Sequence, residues 1–546
     1  MINKSTLVQG IGITNKRVSG RLRFINKEKS TDKKSTIYNV GTELLRLDEA
    51  IKRAKGKVWE LEKRARELVG GSEAQIFEIH AMLLEDEDLN ELIIAEIKKG
   101  KSAEEATRLA TKHYERVILE LGDEYLSGRA SDIRDICTQI IDALSGNEKD
   151  SEQIDGQYIL VAEDLTPSQT VLLDKSKILA IVTFGGTPSS HTAILARSMG
   201  IPALVGTGKI DYLLNGSYAL LDGAEGTLII NPSETQAEDF EKKRAKENKI
   251  ATEHERYLRS LMNKPAVTGS GHKIMIYANI GSENEISGAL SNGAEGIGLL
   301  RSEFMYLEKN SLPSEEELFS TYRDIAIKMG GRRVIVRTLD IGADKQIPYI
   351  NMKKEENPAL GLRGIRLCLG SRDMFKSQIR AILRASHYGR VAIMIPMVIS
   401  VREVIAFKEL LEECKRELSK KGIPHDSKIE IGIMIETPAS AIISDKLAKE
   451  VDFFSVGTND LTQYTLAVDR QNSSVSGLCE ENHEPILRLI EMASREIHKQ
   501  GGWIGVCGEM AADLSLTEEL ARIGVDELSV SVPYLLGVRG KVSECK

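Results

Sequence analysis

The stretch Asp452-Phe453-Phe454-Ser455-Val456-Gly457-Thr458-Asn459-Asp460 joins a short buried-type strand to a glycine and then to polar side chains. An apolar run of this length, bounded by glycine, is typical of a strand in the interior of a parallel sheet. Ligands of barrel-type sheets bind at the carboxyl ends of the strands. The stretch therefore predicts a strand whose end carries part of a functional site.

Similar runs recur through the second half of the chain, each followed by polar residues and helical sequence. Together with the first run they are Ile274–Ala278, Gly296–Leu300, Val334–Val336, Ala392–Ile395, Ile431–Ile435, Phe453–Val456, Trp503–Val506 and Glu527–Val530. Eight such βα units in roughly 280 residues match a TIM (β/α)8 barrel. We therefore predict that residues 265–546 form this barrel.

Charged and polar side chains follow most of the predicted strands. They are Arg301, Arg337, Asp340, Glu436, Asn459, Asp460, Arg470, Cys507 and Glu509, and a nearby loop adds Arg363. Arginines bind phosphate and carboxylate groups, carboxylates suit Mg²⁺, and a thiol can protonate an enolate. Each side chain alone is as readily a solvated or ion-paired residue of the rim. Their common position favours a site for a small anion and a metal.

The first half of the chain has short strand-like runs on either side of a helical block. The runs are Leu7–Ile25, Tyr158–Ala162, Ile178–Val182, Ala203–Val205 and Tyr218–Gly223. Between them, residues 42–144 repeat apolar positions at helical spacing. We predict an α/β domain formed by 1–41 and 145–231, with an α-helical subdomain inserted at 42–144.

Two features of this half bear on function. His80, Met82 and Leu83 in the helical block are either core residues of a bundle or part of a docking surface for another protein. The stretch Gly185–Ser198 places His191 in the first turn of a predicted helix, where backbone amides and the helix dipole favour an anion. His191 is therefore either a structural residue beside a helix cap or a carrier of a phosphoryl group.

The charge-rich segment 232–264 predicts one solvated linker helix, about 45 Å long if fully helical. A hinge near this helix would let the His191 domain swivel relative to the barrel.

Composition narrows the class of protein. The net charge of −8 argues against nucleic acid as the main ligand. No long apolar segment indicates a membrane span or a signal peptide. The six cysteines are scattered, so neither disulfides nor a zinc site are indicated. A cytoplasmic, globular, multidomain protein is expected.

Several long motifs are distinctive enough to compare with a known family. They are Phe77–Asp86, Asp123–Leu126, Ala294–Phe304, Val336–Lys345, Glu356–Pro358, Met434–Ala439, Asp452–Tyr464 and Gly505–Glu509. These motifs closely resemble the phosphoenolpyruvate-protein phosphotransferases, Enzyme I of the bacterial sugar phosphotransferase system. The likeness extends over nearly the whole chain. It implies a phosphohistidine α/β domain with an inserted helical subdomain that binds HPr, a linker helix and a TIM barrel that binds phosphoenolpyruvate.

The resemblance also implies a role for each candidate residue. His191 takes the phosphoryl group on Nε2 and passes it to a histidine of the phosphocarrier protein HPr, while Cys507 protonates the enolate to give pyruvate. Phosphoenolpyruvate is held by Arg301, Arg337, Arg363, Asn459 and Arg470. The cofactor Mg²⁺ is held by Glu436 and Asp460. The candidate contacts with HPr are Met82, Leu83 and Arg129. A homodimer through the barrel is implied as well.

The chain departs from the family pattern in two places. The family's histidine loop usually reads Gly-Gly-x-Thr-Ser-His, whereas this chain has Gly186-Thr187-Pro188-Ser189-Ser190-His191. Because proline fixes φ and lacks an N–H, we expect altered loop geometry with phosphorylation intact. After Ser529 the sequence predicts that the last barrel helix is short or missing, which leaves open whether barrel closure and the dimer are weakened.

Other functions fit the sequence less well. Pyruvate phosphate dikinase and phosphoenolpyruvate synthase share the histidine domain and the barrel, but they need an ATP-binding domain for which this sequence has no glycine-rich loop. A non-catalytic regulator is expected to lack His191, a barrel arginine or a metal carboxylate, and all are present. A nitrogen-system paralogue is expected to carry an additional amino-terminal sensory domain.

Overall fold

The computed structural model of this chain describes residues 5–25, 39–69, 71–120, 124–145, 156–174, 176–188, 190–307, 309, 311–342, 347, 349–350, 352–353, 355–469, 475, 478 and 484–546. At helical positions 66–69, 71–75, 78, 87, 115, 117–120, 124–131, 191, 195 and 198 it describes the backbone alone. The chain divides into two compact units, Met1–Lys249 and Ile250–Lys546.

The amino-terminal unit contains a mixed sheet of eight strands in the order β1-β8-β7-β3-β4-β5-β6-β2. The strands are β1 Thr6–Gln9, β2 Ile11–Gly12, β3 Arg17–Phe24, β4 Tyr158–Ala162, β5 Ile178–Thr183, β6 Ala203–Val205, β7 Tyr218–Asp222 and β8 Thr227–Ile230. Strands β3 to β6 pair in parallel, and the other pairings are antiparallel. The predicted α/β architecture is confirmed.

Five helices occupy the chain between β3 and β4. They are α1 Val40–Val69, α2 Gly71–Leu83, α3 Glu87–Lys98, α4 Ala103–Glu120 and α5 Glu124–Ser145. Their apolar stripes share one core, which includes Val58, Ile93 and Ile136. His80 is fully buried in this unit, whereas Met82 is 71% exposed. The helical character predicted for this block is therefore confirmed, and Met82 is not a core residue.

Two short helices, α6 Pro167–Leu172 and α7 His191–Ser198, follow strands β4 and β5. The longer α8, Glu234–Ser260, begins after the sheet. Its first half packs on β3, because Ser19 Oγ donates to Glu241 Oε1 at 3.2 Å and Arg17 pairs with Glu247. Residues 245–257 are all exposed. The charge-rich segment thus forms the predicted helix.

The second unit is built on a closed barrel. A short strand, β9 Ala266–Val267, pairs antiparallel with the first barrel strand. The barrel strands are β10 Lys273–Ile280, β11 Ile297–Arg301, β12 Val334–Arg337, β13 Val391–Ile395, β14 Glu430–Ile435, β15 Phe453–Val456, β16 Trp503–Val506 and β17 Glu527–Ser531. Neighbouring strands pair in parallel, and β10 pairs with both β11 and β17. The predicted TIM barrel is confirmed, and every predicted strand overlaps an observed one.

Helices surround this barrel. They are α9 Ile286–Ser291, α10 Phe304–Leu307, α11 Glu315–Lys328, α12 Ile365–Gly370, α13 Arg372–Ala385, α14 Val401–Lys420, α15 Pro438–Ile442, α16 Ser444–Leu447, α17 Thr458–Leu466, α18 Glu484–Lys499, α19 Thr517–Ile523 and α20 Leu535–Glu544. Among the described residues, no helix combines the length and apolar character needed to cross a membrane.

The last helix, expected to be short or missing, is the ten-residue α20. It is attached to the barrel by Arg539, which is 1% exposed. Arg539 Nη2 donates to the carbonyl of Gly293 at 2.7 Å, and Nη1 donates to the carbonyl of Lys264. The Gly269 amide also donates to the carbonyl of Cys545 at 2.7 Å. The barrel is therefore closed and covered at the point where the sequence made closure doubtful.

Candidate active site

The carboxyl ends of β11 and β12 bring two arginines together. Arg301 and Arg337 are direct partners in the register of these strands. The Arg301 guanidinium lies 5.6 Å from the centre of the Phe304 ring. Arg337 pairs with the buried Glu303, and its Nη1 lies 3.5 Å from Asp340 Oδ2. Two guanidinium groups thus face one rim, and one of them is held between carboxylates.

Arg363 enters the same rim from the loop before α12. Its Nε and Nη2 donate to the two oxygens of Asp340 at 3.1 and 2.8 Å, and Nη2 also donates to Asp460 Oδ2 at 3.1 Å. Burial lowers the pKa of Arg363, but the two carboxylates outweigh it and raise the pKa. Gly364 allows this loop to pack closely against Met397. Its φ of 57° suits glycine, and a Cβ at this position would lie 2.8 Å from the Met397 side chain.

Three buried carboxylates form an acidic cluster at this rim. One oxygen each from Asp340, Glu436 and Asp460 lies within 4.8 Å of the others. Glu436 is 1% exposed and accepts a hydrogen bond from the Met397 amide at 2.5 Å. Burial, then the charges of Asp340 and Asp460, raise the pKa of Glu436 to about 8. A cation would relieve this repulsion, and an all-oxygen donor set fits Mg²⁺.

Asn459, in the first turn of α17, and Cys507, directly after β16, lie on the same rim. Asn459 Oδ1 accepts from the Glu509 amide at 2.9 Å, and Asn459 Nδ2 donates to Glu509 Oε1 at 3.0 Å. Cys507 is 6% exposed, and its thiol donates to the carbonyl of Val456 at 3.5 Å. Burial raises the pKa of Cys507 to about 12. The thiol is therefore protonated at neutral pH and is suited to give up a proton.

The histidine loop is built around a turn that contains Pro188. The Ser190 amide donates to the carbonyl of Thr187 at 3.0 Å, so proline lies in a turn that does not need its missing N–H. Gly186 adopts φ 94°, and a Cβ there would lie 3.1 Å from Ser190 Oγ. The loop ends at His191, the first residue of α7.

Some predicted site residues are not placed by the structure. Arg470 and the side chains of His191 and Arg129 lie outside the described residues. Of the predicted HPr contacts, Met82 is exposed and Leu83 is partly buried against the helical core. The structure therefore brings together Arg301, Arg337, Arg363, Glu436, Asn459, Asp460 and Cys507 on one barrel rim.

Comparison with known proteins gives matches along the whole chain. Residues 9–129 match the amino-terminal model of PEP-utilising enzymes, 154–226 their mobile domain and 255–546 their PEP-binding domain. The phosphoenolpyruvate-protein phosphotransferase of Priestia megaterium is 40% identical over 541 residues, which cover 98% of this chain and 94% of that protein. The chain belongs to the phosphoenolpyruvate-protein phosphotransferase family. The enzymes of that name from Haemophilus influenzae and Buchnera aphidicola are 42% and 43% identical over 517 residues, covering 94% and 93% of this chain and 89% of each relative.

Three residues near the site of this phosphotransferase were not assigned from the sequence. The sequence places Asp340 at a strand end without a role, and in the structure it is the third member of the acidic cluster. Glu303 is the carboxylate partner of Arg337, and its position just after Arg301 at a strand end is a signal that was available. Tyr464 accepts a hydrogen bond from Arg363 Nη1 at 3.3 Å, but only the folded α17 reveals that contact.

Proposed function

We propose that this enzyme transfers the phosphoryl group of phosphoenolpyruvate to His191, releases pyruvate, and then phosphorylates a histidine of HPr for sugar uptake. The observation that carries the proposal is the barrel rim, where arginines, an acidic cluster and a buried thiol converge in a chain of this family. The histidine at the start of α7 supplies the acceptor.

Anion binding is assigned to the arginines of the rim. Among the described residues, Arg301 has no carboxylate partner, and its buried Nε has no hydrogen bond. Arg337 also has a buried Nε without a partner in the described part of the chain. These groups are available for the phosphate and carboxylate of the substrate. Arg363 and Asn459 complete the set, and their contacts with Asp340 and Glu509 hold them in place.

Metal binding is assigned to Glu436 and Asp460, with Asp340 as a third candidate ligand. One oxygen of each of the three carboxylates lies within 4.8 Å of the others, and burial with their mutual repulsion raises the pKa of Glu436 to about 8, so a bound cation would let Glu436 ionise. When bound, Mg²⁺ would neutralise charge on the phosphoryl oxygens and so assist transfer.

The proton step is assigned to Cys507. Departure of the phosphoryl group leaves enolpyruvate, whose C3 takes a proton to become the methyl group of pyruvate. The Cys507 thiol is buried and protonated at neutral pH, so it can supply this proton. Its surroundings exclude water, because it packs with Leu299, Met394 and Met434 inside the barrel.

The carrier step is assigned to His191 and the helical insert. His191 must reach the barrel rim in one step and the phosphocarrier protein in the next. The positive end of the α7 helix dipole favours the charged phosphoryl group on this histidine. The exposed Met82 at the end of α2 is a candidate for contact with HPr, because a large apolar side chain with 71% exposure suits a protein partner.

The test is incubation of the purified protein with Mg²⁺ and phosphoenolpyruvate labelled in its phosphate. Wild type should acquire acid-labile label, pass it to added HPr and release pyruvate, and a chelator should stop the labelling. His191→Ala should reduce labelling to background. The matched control, His254→Ala, removes an exposed histidine of α8 and should label normally. Acid-labile label on His191→Ala would refute the assignment.

A further inference from the structure

The Tyr464 hydroxyl bridges two βα units of the barrel rim. Tyr464 lies in α17, which follows β15, and it comes one helical turn after Asp460, so both side chains lie on the same face of the helix. The hydroxyl donates to the carbonyl of Ala359, in the loop between β12 and α12. It also accepts from Arg363 Nη1 at 3.3 Å. One side chain therefore contacts both the backbone of this loop and the guanidinium that the loop carries.

The loop segment around Arg363 buries little apolar surface of its own. Leu360 and Leu362, the large apolar side chains of this segment, are both exposed. The position of the segment on the rim therefore depends largely on polar contacts with other elements. The hydrogen bond from Tyr464 to the Ala359 carbonyl is one of these contacts, and it comes from the other side of the barrel mouth.

The phenol holds the Arg363 guanidinium without cancelling its charge. Nε and Nη2 of this arginine already face the carboxylates of Asp340 and Asp460. A third carboxylate at Nη1 would make the position unattractive to an anion, whereas a neutral hydroxyl leaves the positive charge available. Burial raises the pKa of Tyr464 to about 12, so the hydroxyl stays neutral near pH 7 and keeps the proton that it donates to Ala359.

We propose that Tyr464 is a positioning residue for phosphoenolpyruvate, because its hydroxyl fixes Arg363 at the place where this guanidinium meets the anion. The proposal rests on the proposed function, in which Arg363 binds the substrate. Without the hydroxyl, Arg363 Nη1 and the Ala359 carbonyl lose a partner, and the long arginine side chain gains rotational freedom that binding must remove. The loss falls on substrate affinity, because Arg363 takes no part in the proton step assigned to Cys507.

The test measures binding apart from chemistry. In the full chain with His191→Ala, phosphoenolpyruvate can bind without passing on its phosphoryl group, so calorimetric titration in the presence of Mg²⁺ gives the dissociation constant. Tyr464→Phe in this background removes only the hydroxyl. We expect the constant to rise about tenfold, the size of effect typical for the loss of one hydrogen bond to a charged group. With His191 intact, the KM for phosphoenolpyruvate should rise by a similar factor while kcat stays near the wild-type value.

A double-mutant cycle shows whether Tyr464 acts through Arg363. Arg363→Lys keeps a positive charge but lacks the guanidinium group that the hydroxyl holds. In that background, Tyr464→Phe should raise the dissociation constant by less than about twofold. An equal rise in both backgrounds would mean that the hydroxyl supports the fold in general, and it would overturn the proposal.

Two further variants make each outcome decisive. Tyr349→Phe removes another phenolic hydroxyl that donates to a backbone carbonyl, that of Tyr306, and should leave the dissociation constant unchanged. Tyr464→Leu removes the ring and the hydroxyl together and should weaken binding at least as much, so it decides the matter if Tyr464→Phe fails to fold. An unchanged dissociation constant in folded Tyr464→Phe or Tyr464→Leu overturns the positioning role alone. Absence of binding to His191→Ala instead overturns the proposed function, and the positioning role with it.

Discussion

Burial sets the protonation of single residues inside this barrel. Glu527 and Cys507 both lie where the charged form is poorly solvated, so each keeps its proton at neutral pH. The raised pKa of Glu527 also affects the stability of the fold. A carboxyl group that stays protonated in the folded chain but ionises in the unfolded chain makes the free energy of unfolding depend on pH.

We predict that Glu527→Gln weakens the pH dependence of stability. The pKa of Glu527 is about 8 when folded, against 4.5 for an ordinary glutamate. Between these values the unfolded chain has lost the proton and the folded chain keeps it. The wild-type free energy of unfolding should therefore fall with rising pH, by at most about 1.4 kcal/mol per unit from this group. Urea unfolding at pH 5 and pH 8 measures it. The control Glu544→Gln, at an exposed position, should show the same pH dependence of unfolding as wild type. The same dependence in Glu527→Gln would contradict the prediction.

The sequence predicts the positions of side chains at the barrel rim better than those in the barrel interior. Arg337, Glu436 and Asp460 could be placed together, because an apolar run marks each strand and the next polar residue marks its end. The sequence places Glu303 near Arg301 at a strand end, but its pairing with Arg337 depends on the direction of its side chain, which the sequence does not give. The sequence pattern shows Glu527 only as the first residue of an apolar strand, because the pattern of one strand cannot reveal that glycines on other strands leave space for its carboxyl group.

At the scale of elements, α20 is held against the barrel by one buried, charged side chain. Arg539 donates to the carbonyls of Gly293 and Lys264, and it lies 3.3 Å from Glu295 Oε2. These groups belong to segments that precede β10 and β11. One side chain thus holds the last helix against the first barrel strands. The number of residues after β17 predicts a short helix, but it cannot predict contacts of this kind.

We predict that Arg539→Met destabilises the barrel by about 2–4 kcal/mol, because it leaves buried carbonyls and a carboxylate without their donor. Thermal or urea unfolding measures the change. Lys541→Met removes a positive charge from a less buried position of the same helix and should cost less than about 1 kcal/mol. Equal effects of the two variants would show that the buried contacts of Arg539 contribute nothing.

At the scale of the whole molecule, the chain holds separate apolar cores. The sheet and the helical block have their own clusters within Met1–Lys249, and the barrel cluster lies within Ile250–Lys546. The boundary between the two units falls inside α8. Separate cores joined by a segment with little buried surface unfold as separate cooperative units.

We predict that calorimetry resolves at least two unfolding transitions. Arg539→Met should lower the temperature of one of them, by about 2–4 °C for each kcal/mol lost, and leave the other unchanged. Phosphoenolpyruvate with Mg²⁺ should raise the same transition, because a ligand stabilises the unit that binds it. A single transition that shifts as a whole would show that the two units unfold together.

The exposed middle of α8 has a further consequence. Residues 245–257 contribute almost nothing to either core, so a protease that cuts there removes no apolar contact from the sheet or the barrel. Such a cut should give two folded fragments instead of an unfolded chain. A new chain end placed in residues 245–257 by gene fusion or fission would likewise leave the apolar core of each unit intact.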